Sequence, residues 1–193
     1  MEPAEQSLRD FLSATAAATP APGGGSAAAA TCALAAALVE MSVGIEAARG
    51  GGSEPGAEIA QAARGVRERA LALSAVELTS YVPVLEARRL DSGDPDRAGR
   101  VEAALIEASR SPLEIAEGAA EAAELSASVA AGCDPSVRGN ALTGVLLAKA
   151  ACATALSLVE VNLTEAGAAG AELLERARAA GERAAGARRA ATA

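Results

Sequence analysis

The segment that decides the fold is Thr19-Pro20-Ala21-Pro22-Gly23-Gly24-Gly25-Ser26, followed by the small-residue run Ala27–Val39. Proline disfavours helix in the residue before it, so this segment is expected to be extended. The glycines allow a tight turn and a close approach to another surface, and Ser26 is placed to cap the helix that follows. Free N–H groups at such a helix N-terminus favour an anion. Glycine and alanine also let two helices pack closely, and this structural interpretation stays open.

The composition predicts an all-α protein with one domain over residues 1–193. Hydrophobic residues make up 51% of the chain and aromatic residues only 1%, with alanine the most frequent. Alanine, leucine, glutamate and arginine are strong helix formers, and a chain of this length buries roughly 70% of its extended surface. Because large side chains are scarce, the helices must approach closely, and a dimer that buries more area would help.

Hydrophobic periodicity and turn residues give the expected order of helices. They predict helices over residues 7–18, 26–48, 57–89, 95–131, 136–167 and 169–189, separated by glycine- and proline-containing turns. We therefore expect an antiparallel bundle of about five to six helices. It should be kinked at Pro83 and Pro112, because a proline inside a helix removes a hydrogen bond.

Charge and cysteine content exclude several classes of function. The net charge of −8 argues against nucleic-acid binding. The three cysteines show no CxxC spacing and there is no histidine, so we expect no metal site. Thiols used as small buried hydrophobes suit a reducing, cytoplasmic location. Met1–Glu5 lacks the basic start of a signal peptide, and the uncharged stretch Phe11–Val39 contains prolines and glycines, so we expect no membrane span.

Glu77 is the candidate catalytic residue. It falls in the apolar stripe of the predicted third helix, on one line with Leu73 and Val84. A carboxylate there loses solvation unless it is paired or lines a cavity, and burial would raise its pKa towards the range of a general acid or base. Without histidine, proton transfer near neutral pH needs such a carboxylate, a lysine, a cysteine or water. A structural glutamate bonded to an arginine or a backbone carbonyl is the alternative.

Three further polar residues are candidates for ligand binding. Lys149 lies on an otherwise apolar helix, where it either reaches the surface or meets an anion or carboxylate in a pocket. Asn162 interrupts the apolar stretch Val159–Leu163 and could donate to a ligand carbonyl. Asp134 and Asn140 flank the start of the predicted fifth helix; Asp134 is suited to capping it, or this turn could form a pocket wall with Cys133.

The stretch Thr19–Ala29 is similar to the glycine signature of the cyclodeaminase/cyclohydrolase family. This family comprises the C-terminal domain of formiminotransferase-cyclodeaminase and the free-standing methenyltetrahydrofolate cyclohydrolases. Other segments that resemble family motifs are Ser7–Leu12, Met41, Glu77 with Ser80-Tyr81, Ser111–Leu113, Gly132–Leu147 and Val161–Leu163. The resemblance therefore covers most of the chain.

The resemblance implies an all-helical homodimer that acts on a one-carbon tetrahydrofolate derivative. The reaction is either opening of 5,10-methenyltetrahydrofolate by water or closure of 5-formiminotetrahydrofolate with release of ammonia. The resemblance also implies that no metal and no bound prosthetic group takes part, and that Glu77 is the acid or base. The substrate-binding residues implied are Gly23, Gly24, Gly25, Ser26, Tyr81, Asn140, Lys149 and Asn162.

The chain departs from the family pattern at four polar positions. Gly44, Cys133, Gly139 and Asn140 stand where the family has Asn, Asn, Ser and Asp, and Glu77 replaces an Asp. Two alternatives to a folate enzyme therefore remain open for this chain. One is a family member that binds or cyclises a different small molecule, and the other is a purely structural helical dimer.

Overall fold

The chain folds into helices throughout the part that the computed structural model describes, residues 6–19 and 21–192. No β-strand occurs in those ranges, which confirms the all-α prediction. Met1–Glu5, Pro20 and Ala193 lie outside the described residues, and so do the expectations placed on the first five residues and on Pro20. The helices are α1 (Leu8–Thr15), α2 (Gly24–Glu46), α3 (Glu54–Val76), α4 (Val82–Arg88), α5 (Arg97–Ala108), α6 (Arg110–Gly132), α7 (Pro135–Ala166) and α8 (Ala171–Ala190).

Consecutive long helices run antiparallel, as predicted. Ser26 Oγ donates to the Ser74 carbonyl at 3.1 Å, and Arg67 Nε donates to Glu40 at 2.6 Å, so α2 and α3 run in opposite directions. α2 and α7 are also antiparallel, because Gly24 lies next to Leu158 whereas the Asp134 N–H donates to Glu46 at the other end. Helix α2 is therefore held between α3 and α7.

Helix α8 runs parallel to α6, and ion pairs hold the two in register. Arg176 pairs with Glu117, and Arg183 pairs with Glu124, each through two nitrogen–oxygen contacts of 2.6–3.2 Å. Both pairs have the same sequence separation of 59 residues, so the two helices advance together. The bundle is thus a mixture of antiparallel neighbours and this parallel pair.

The structure divides each of the two proline-containing helices that the sequence predicted as one. The predicted helix 57–89 ends at Val76 and resumes at Val82, and the predicted helix 95–131 breaks at Ser109. Pro83 and Pro112 lie in the first turns of α4 and α6, where a missing N–H has no intrahelical cost. The expected kinks are therefore breaks between separate helices.

Small residues fill most of the core, so the helices approach closely. Leu105, Leu113 and Ile115 are the largest fully buried side chains, and the remaining core positions are mostly alanine and valine. One close approach is at Gly144 of α7, where a Cβ would lie 2.5 Å from Ser126 Oγ and 3.4 Å from the Ala35 carbonyl oxygen. Gly144 is therefore the point at which α2, α6 and α7 converge.

Two helices are long and apolar enough to cross a membrane when only length and composition are considered. They span Gly24–Gly51 and Pro135–Ala166, and 44% and 39% of their most apolar windows are buried inside the protein. Core helices of soluble proteins pass the same test. The absence of a membrane span stays a prediction.

We predict that Gly144→Ala destabilises the protein by about 1–3 kcal/mol, because the added methyl group overpacks the three-helix contact. The control is Gly139→Ala on the same helix, where a Cβ meets nothing within 4 Å. The free energy of unfolding of Gly139→Ala should rise by about 1 kcal/mol, because alanine has a higher helix propensity than glycine. Urea unfolding at neutral pH measures both.

A second substitution tests the cause of this effect. Ser126 is fully buried and its Oγ has no hydrogen-bond partner in the described chain, so Ser126→Ala opens space at little cost. The double variant should recover most of the stability that Gly144→Ala loses. Equal destabilisation in the single and double variants would contradict the assigned contact.

Candidate functional site

Helix α2 begins two residues earlier than the sequence suggested, and Ser26 does not cap it. The helix starts at Gly24, and Gly23 is its N-cap without a side-chain hydrogen bond. Ser26 lies inside the first turn, fully buried, and its hydroxyl donates to Ser74 of α3. The first amide that bonds within the helix is that of Ala27, to the Gly23 carbonyl. The N–H groups of Gly24, Gly25 and Ser26 therefore have no partner inside the helix.

Glu77 lies against this helix start. It is the C-cap of α3 and not part of a continuous helical stripe, and its N–H donates to the Leu73 carbonyl. A Cβ built at position 25 would overlap the Glu77 Cδ and Oε2 atoms. Only glycine at position 25 leaves room for the carboxyl group in this place. The structure thus brings together the glycine turn and the candidate acid or base.

Burial is the main influence on the Glu77 carboxyl group. It raises the pKa of Glu77 above its ordinary value, and the facing Ser111 hydroxyl opposes this shift in part. Glu77 Oε1 is buried and has no hydrogen-bond partner among the described residues. The structural alternative, a bonded arginine or backbone carbonyl, therefore does not satisfy this oxygen. A carboxyl group in this state holds its proton to higher pH than usual and is suited to proton transfer.

Ser111 is a residue that sequence reasoning quoted only as part of a motif. It lies in the first turn of α6 with 6% of its surface exposed. The available signal was a hydroxyl directly before Pro112 in the predicted helix 95–131. We refer to Gly25, Ser26, Glu77 and Ser111 as the Glu77 site.

Asn162 and Tyr81 lie at the same end of the bundle as the Glu77 site. Asn162 follows Leu158 by one turn of α7, and Leu158 Cδ2 is 4.0 Å from a Cβ built at Gly24. Asn162 is partly buried. Tyr81 ends the turn that Glu77 begins; it is exposed, and the Arg88 guanidinium lies 5.9 Å from its ring centroid. Their role as ligand contacts stays a prediction.

Lys149 and Asn140 are not brought to the Glu77 site within one chain. Lys149 precedes Leu158 by nine residues, about 14 Å along the helix, and lines a cleft of about 360 Å³ between α7 and α8. Asn140 lies about 27 Å from Leu158 along the same helix. Glu160, on the same helix as Lys149, pairs with Arg178 of α8 at 3.5 Å.

The far end of the bundle holds a cleft of about 800 Å³. We call it the far cleft; its walls combine apolar residues of α2, α3 and α6 with charged side chains and with Gly44, Gly132 and Cys133. The charged residues are Glu40, Glu46, Glu54 and Arg64. Next to it, Asp134 Oδ1 accepts hydrogen bonds from the Ser136 N–H and hydroxyl, which confirms capping as its role. Sequence reasoning did not identify this cleft, because its walls come from residues far apart in the chain.

The described residues contain no group of three or more His, Cys, Asp or Glu side chains that could hold a metal ion. The chemistry that the Glu77 site itself offers is therefore proton transfer by a carboxyl group beside free backbone amides.

We predict that Glu77→Gln makes the protein more stable than the wild type at pH 7 and that this difference disappears near pH 4. The folded protein holds the Glu77 proton to higher pH than the unfolded chain. The contribution of Glu77 to the free energy of unfolding is therefore complete below its pKa in the unfolded chain. It is lost as the pH rises through its pKa in the folded protein. Thermal unfolding at a series of pH values measures the difference, and a constant difference across pH would contradict the raised pKa.

A pair of glycine substitutions tests the position of the carboxyl group. Gly25→Ala should displace the Glu77 side chain towards solvent and return its titration towards the ordinary value. Gly24→Ala should leave the titration unchanged, because its Cβ meets only Leu158 at 4.0 Å. The side-chain carboxyl ¹³C resonance, assigned by its loss in Glu77→Gln, reports the titration. The same midpoint in both variants would show that Glu77 does not lie against Gly25.

Comparison with known proteins is consistent with this architecture. The sequence profile of the family described as formiminotransferase-cyclodeaminase matches residues 7–177. The crystal structure of formiminotetrahydrofolate cyclodeaminase from Thermotoga maritima has the same fold, with a TM-score of 0.87 at 21% identity over 97% of this chain and 94% of that chain. No curated protein sequence matches. Because the family profile covers most of the chain, this protein belongs to the formiminotransferase-cyclodeaminase family.

Proposed function

We propose that this protein is an enzyme that acts on a one-carbon tetrahydrofolate derivative, with Glu77 as its acid and base. The observation that carries the proposal is the Glu77 carboxyl group, buried against Gly25 at the start of α2 with a raised pKa. Family membership and the fold shared with a formiminotetrahydrofolate cyclodeaminase support it.

The two candidate reactions make the same demand on the protein. When water opens 5,10-methenyltetrahydrofolate, the ionised Glu77 carboxylate takes one proton from the water molecule as the water oxygen bonds to the methenyl carbon. The carboxylic acid then returns this proton to the ring nitrogen as the bond between that nitrogen and the methenyl carbon breaks. The second proton of the former water molecule leaves to solvent as the carbonyl group of the formyl product forms on the other nitrogen. In the cyclodeaminase reaction the second nitrogen bonds to the formimino carbon and loses its proton, and the same acid protonates the departing ammonia. A carboxyl group with a raised pKa fulfils both roles near neutral pH.

The ligand contacts follow from the positions of the polar groups. The free amides of Gly24, Gly25 and Ser26, after the turn at Gly23, can donate to a substrate oxygen or nitrogen. Asn162 can donate its side-chain amide from the adjacent turn of α7, and Tyr81 offers an exposed ring and hydroxyl. Lys149 and Asn140 are too far from Glu77 in one chain to contact the reacting atoms. In this proposal they contact a remote part of the substrate, or a substrate bound in the other subunit of a dimer. The tetrahydrofolate derivative is substrate, and no prosthetic group is proposed.

We predict that the protein hydrolyses 5,10-methenyltetrahydrofolate and that Glu77→Gln lowers kcat by about 10²–10⁴-fold. Loss of the methenyl absorbance measures the reaction, and ammonia release from 5-formiminotetrahydrofolate measures the alternative activity. The matched control is Glu58→Gln, an exposed glutamate on α3, which should retain turnover. Full activity in Glu77→Gln would refute its assignment.

One observation favours a second candidate function. The far cleft is lined by Gly44 and Cys133, where the family pattern has polar residues, so at these two positions its wall is less polar than that pattern. This suits a family member that binds or cyclises a different small molecule. Protection from thermal unfolding by folates without turnover would support this candidate over the first. A protein without turnover of folates or protection by them would instead indicate a different substrate.

We also propose that the protein is a cytoplasmic homodimer that binds neither nucleic acid nor membrane. Leu34 of α2 and Leu146 of α7 lie at the same level of two adjacent helices, and 54% and 51% of their surfaces are exposed. Met41 extends this patch along α2. A second copy would cover this surface, since exposed apolar patches of this kind mark interfaces. The net charge of −8 and three free cysteines fit the other parts of the proposal.

We predict that Leu34→Glu or Leu146→Glu raises the dimer dissociation constant about 100-fold or more, because each buries an unpaired charge. Sedimentation equilibrium measures this constant. Val82→Glu on α4 is the control, since Val82 is similarly exposed but lies on neither helix of the patch. A monomeric wild-type protein would contradict the dimer, and recovery from bacterial membranes instead of the soluble fraction would contradict the location.

A further inference from the structure

Ser111 has an unusual hydroxyl group for a buried helical serine. Its side chain is 6% exposed, and its Oγ has no hydrogen-bond partner in the described part of the chain. Leaving such a group unpaired is unfavourable, so an unpaired buried hydroxyl needs an explanation.

Several serines satisfy their hydroxyls on the helix that precedes or contains them, whereas Ser126, like Ser111, has no partner among the described residues. Ser42, Ser109 and Ser128 donate to the carbonyl four residues earlier, at 2.7, 2.8 and 3.0 Å. The residue four positions before Ser111 is Glu107, which belongs to α5 on the other side of the break at Ser109. Ser111 makes no such bond, and its hydroxyl remains available to a group outside α6.

The group it faces is Glu77, whose Oε1 is also buried without a partner. Gly25 limits the carboxyl group on the α2 side, because the Glu77 carboxyl atoms occupy the space of a Cβ there. An acceptor and a donor, both unsatisfied, therefore face each other from α3 and α6. When the carboxyl group is ionised it only accepts hydrogen bonds, and a hydroxyl is then the donor that it lacks.

We propose that Ser111 is a positioning residue for Glu77, whose hydroxyl donates to the ionised carboxylate and fixes the direction of Oε1. Its role in turnover rests on the proposed function, but the contact itself does not. In the protonated state Glu77 can donate to substrate, and in the ionised state Ser111 holds the carboxylate ready to take the proton back. The bond therefore favours release of the Glu77 proton and lowers its pKa.

The test compares Ser111→Ala with Ser126→Ala. Both remove a buried, unpartnered hydroxyl from α6, but Ser126 is 15 residues from Ser111, about 22 Å along the helix. The titration of the Glu77 ¹³C resonance should move up by about one pH unit in Ser111→Ala and stay unchanged in Ser126→Ala. Ser111→Cys, close in size but a weak donor, should move it in the same direction and covers the case in which Ser111→Ala does not fold.

The same variants separate this inference from the proposed function. In an active enzyme, the pH profile of kcat/KM should shift upward with the Glu77 titration, an effect that a purely structural serine would not produce. An unchanged titration in Ser111→Ala, or an equal shift in Ser126→Ala, overturns the positioning role even if folate turnover is found. An upward shift confined to Ser111 variants, in a protein without turnover, supports the contact and refutes the folate reaction.

Discussion

The close approach of α2 to its neighbours is the constraint on which the rest of the structure depends. Ala29, Ala35, Ala36 and Val39 on this helix are fully buried, and side chains of this size allow three other helices to pack around one. The Ser26–Ser74 hydrogen bond joins the start of α2 to the last turns of α3. Because this bond holds the two helix ends together, the residue after α3 lies over the first turn of α2, and Glu77 is that residue.

The Glu77 carboxyl group experiences opposing influences in this place. Burial disfavours its charged form, whereas the Ser111 hydroxyl and the free amides of the α2 N-terminus favour it. Burial is the stronger of the influences on its pKa. A carboxyl group balanced in this way can change protonation state in response to a small change in its surroundings. A general acid that must also serve as a base needs this property, and a structural ion pair does not.

The sequence predicts the helices and their order because alanine and leucine periodicity extends over many turns. It predicts kinks at Pro83 and Pro112 but not the full breaks at Glu77–Tyr81 and Ser109, because the apolar stripe continues across them. The prediction that Ser26 caps α2 was wrong because of a tertiary contact: the Ser26 hydroxyl donates to the Ser74 carbonyl of α3. Glu77 was identifiable as a polar residue in an apolar stripe, whereas Ser111 becomes a candidate only when α3 and α6 are seen side by side.

The structure also separates what this chain keeps of the family pattern from what it changes. The glycine turn and Asn162 lie at the end of the bundle that holds Glu77, whereas Gly44 and Cys133 line the far cleft. Residues 25 and 44 of α2 are about 29 Å apart along the helix, so substitutions at one end leave the geometry at the other intact. The helix contacts that place Glu77 depend on α2, α3 and α6 near Gly25, and Glu77 itself, in place of an Asp, is the one changed position named above that takes part in them. Divergence at the far cleft therefore alters what that surface can bind without altering the carboxyl group that would transfer the proton.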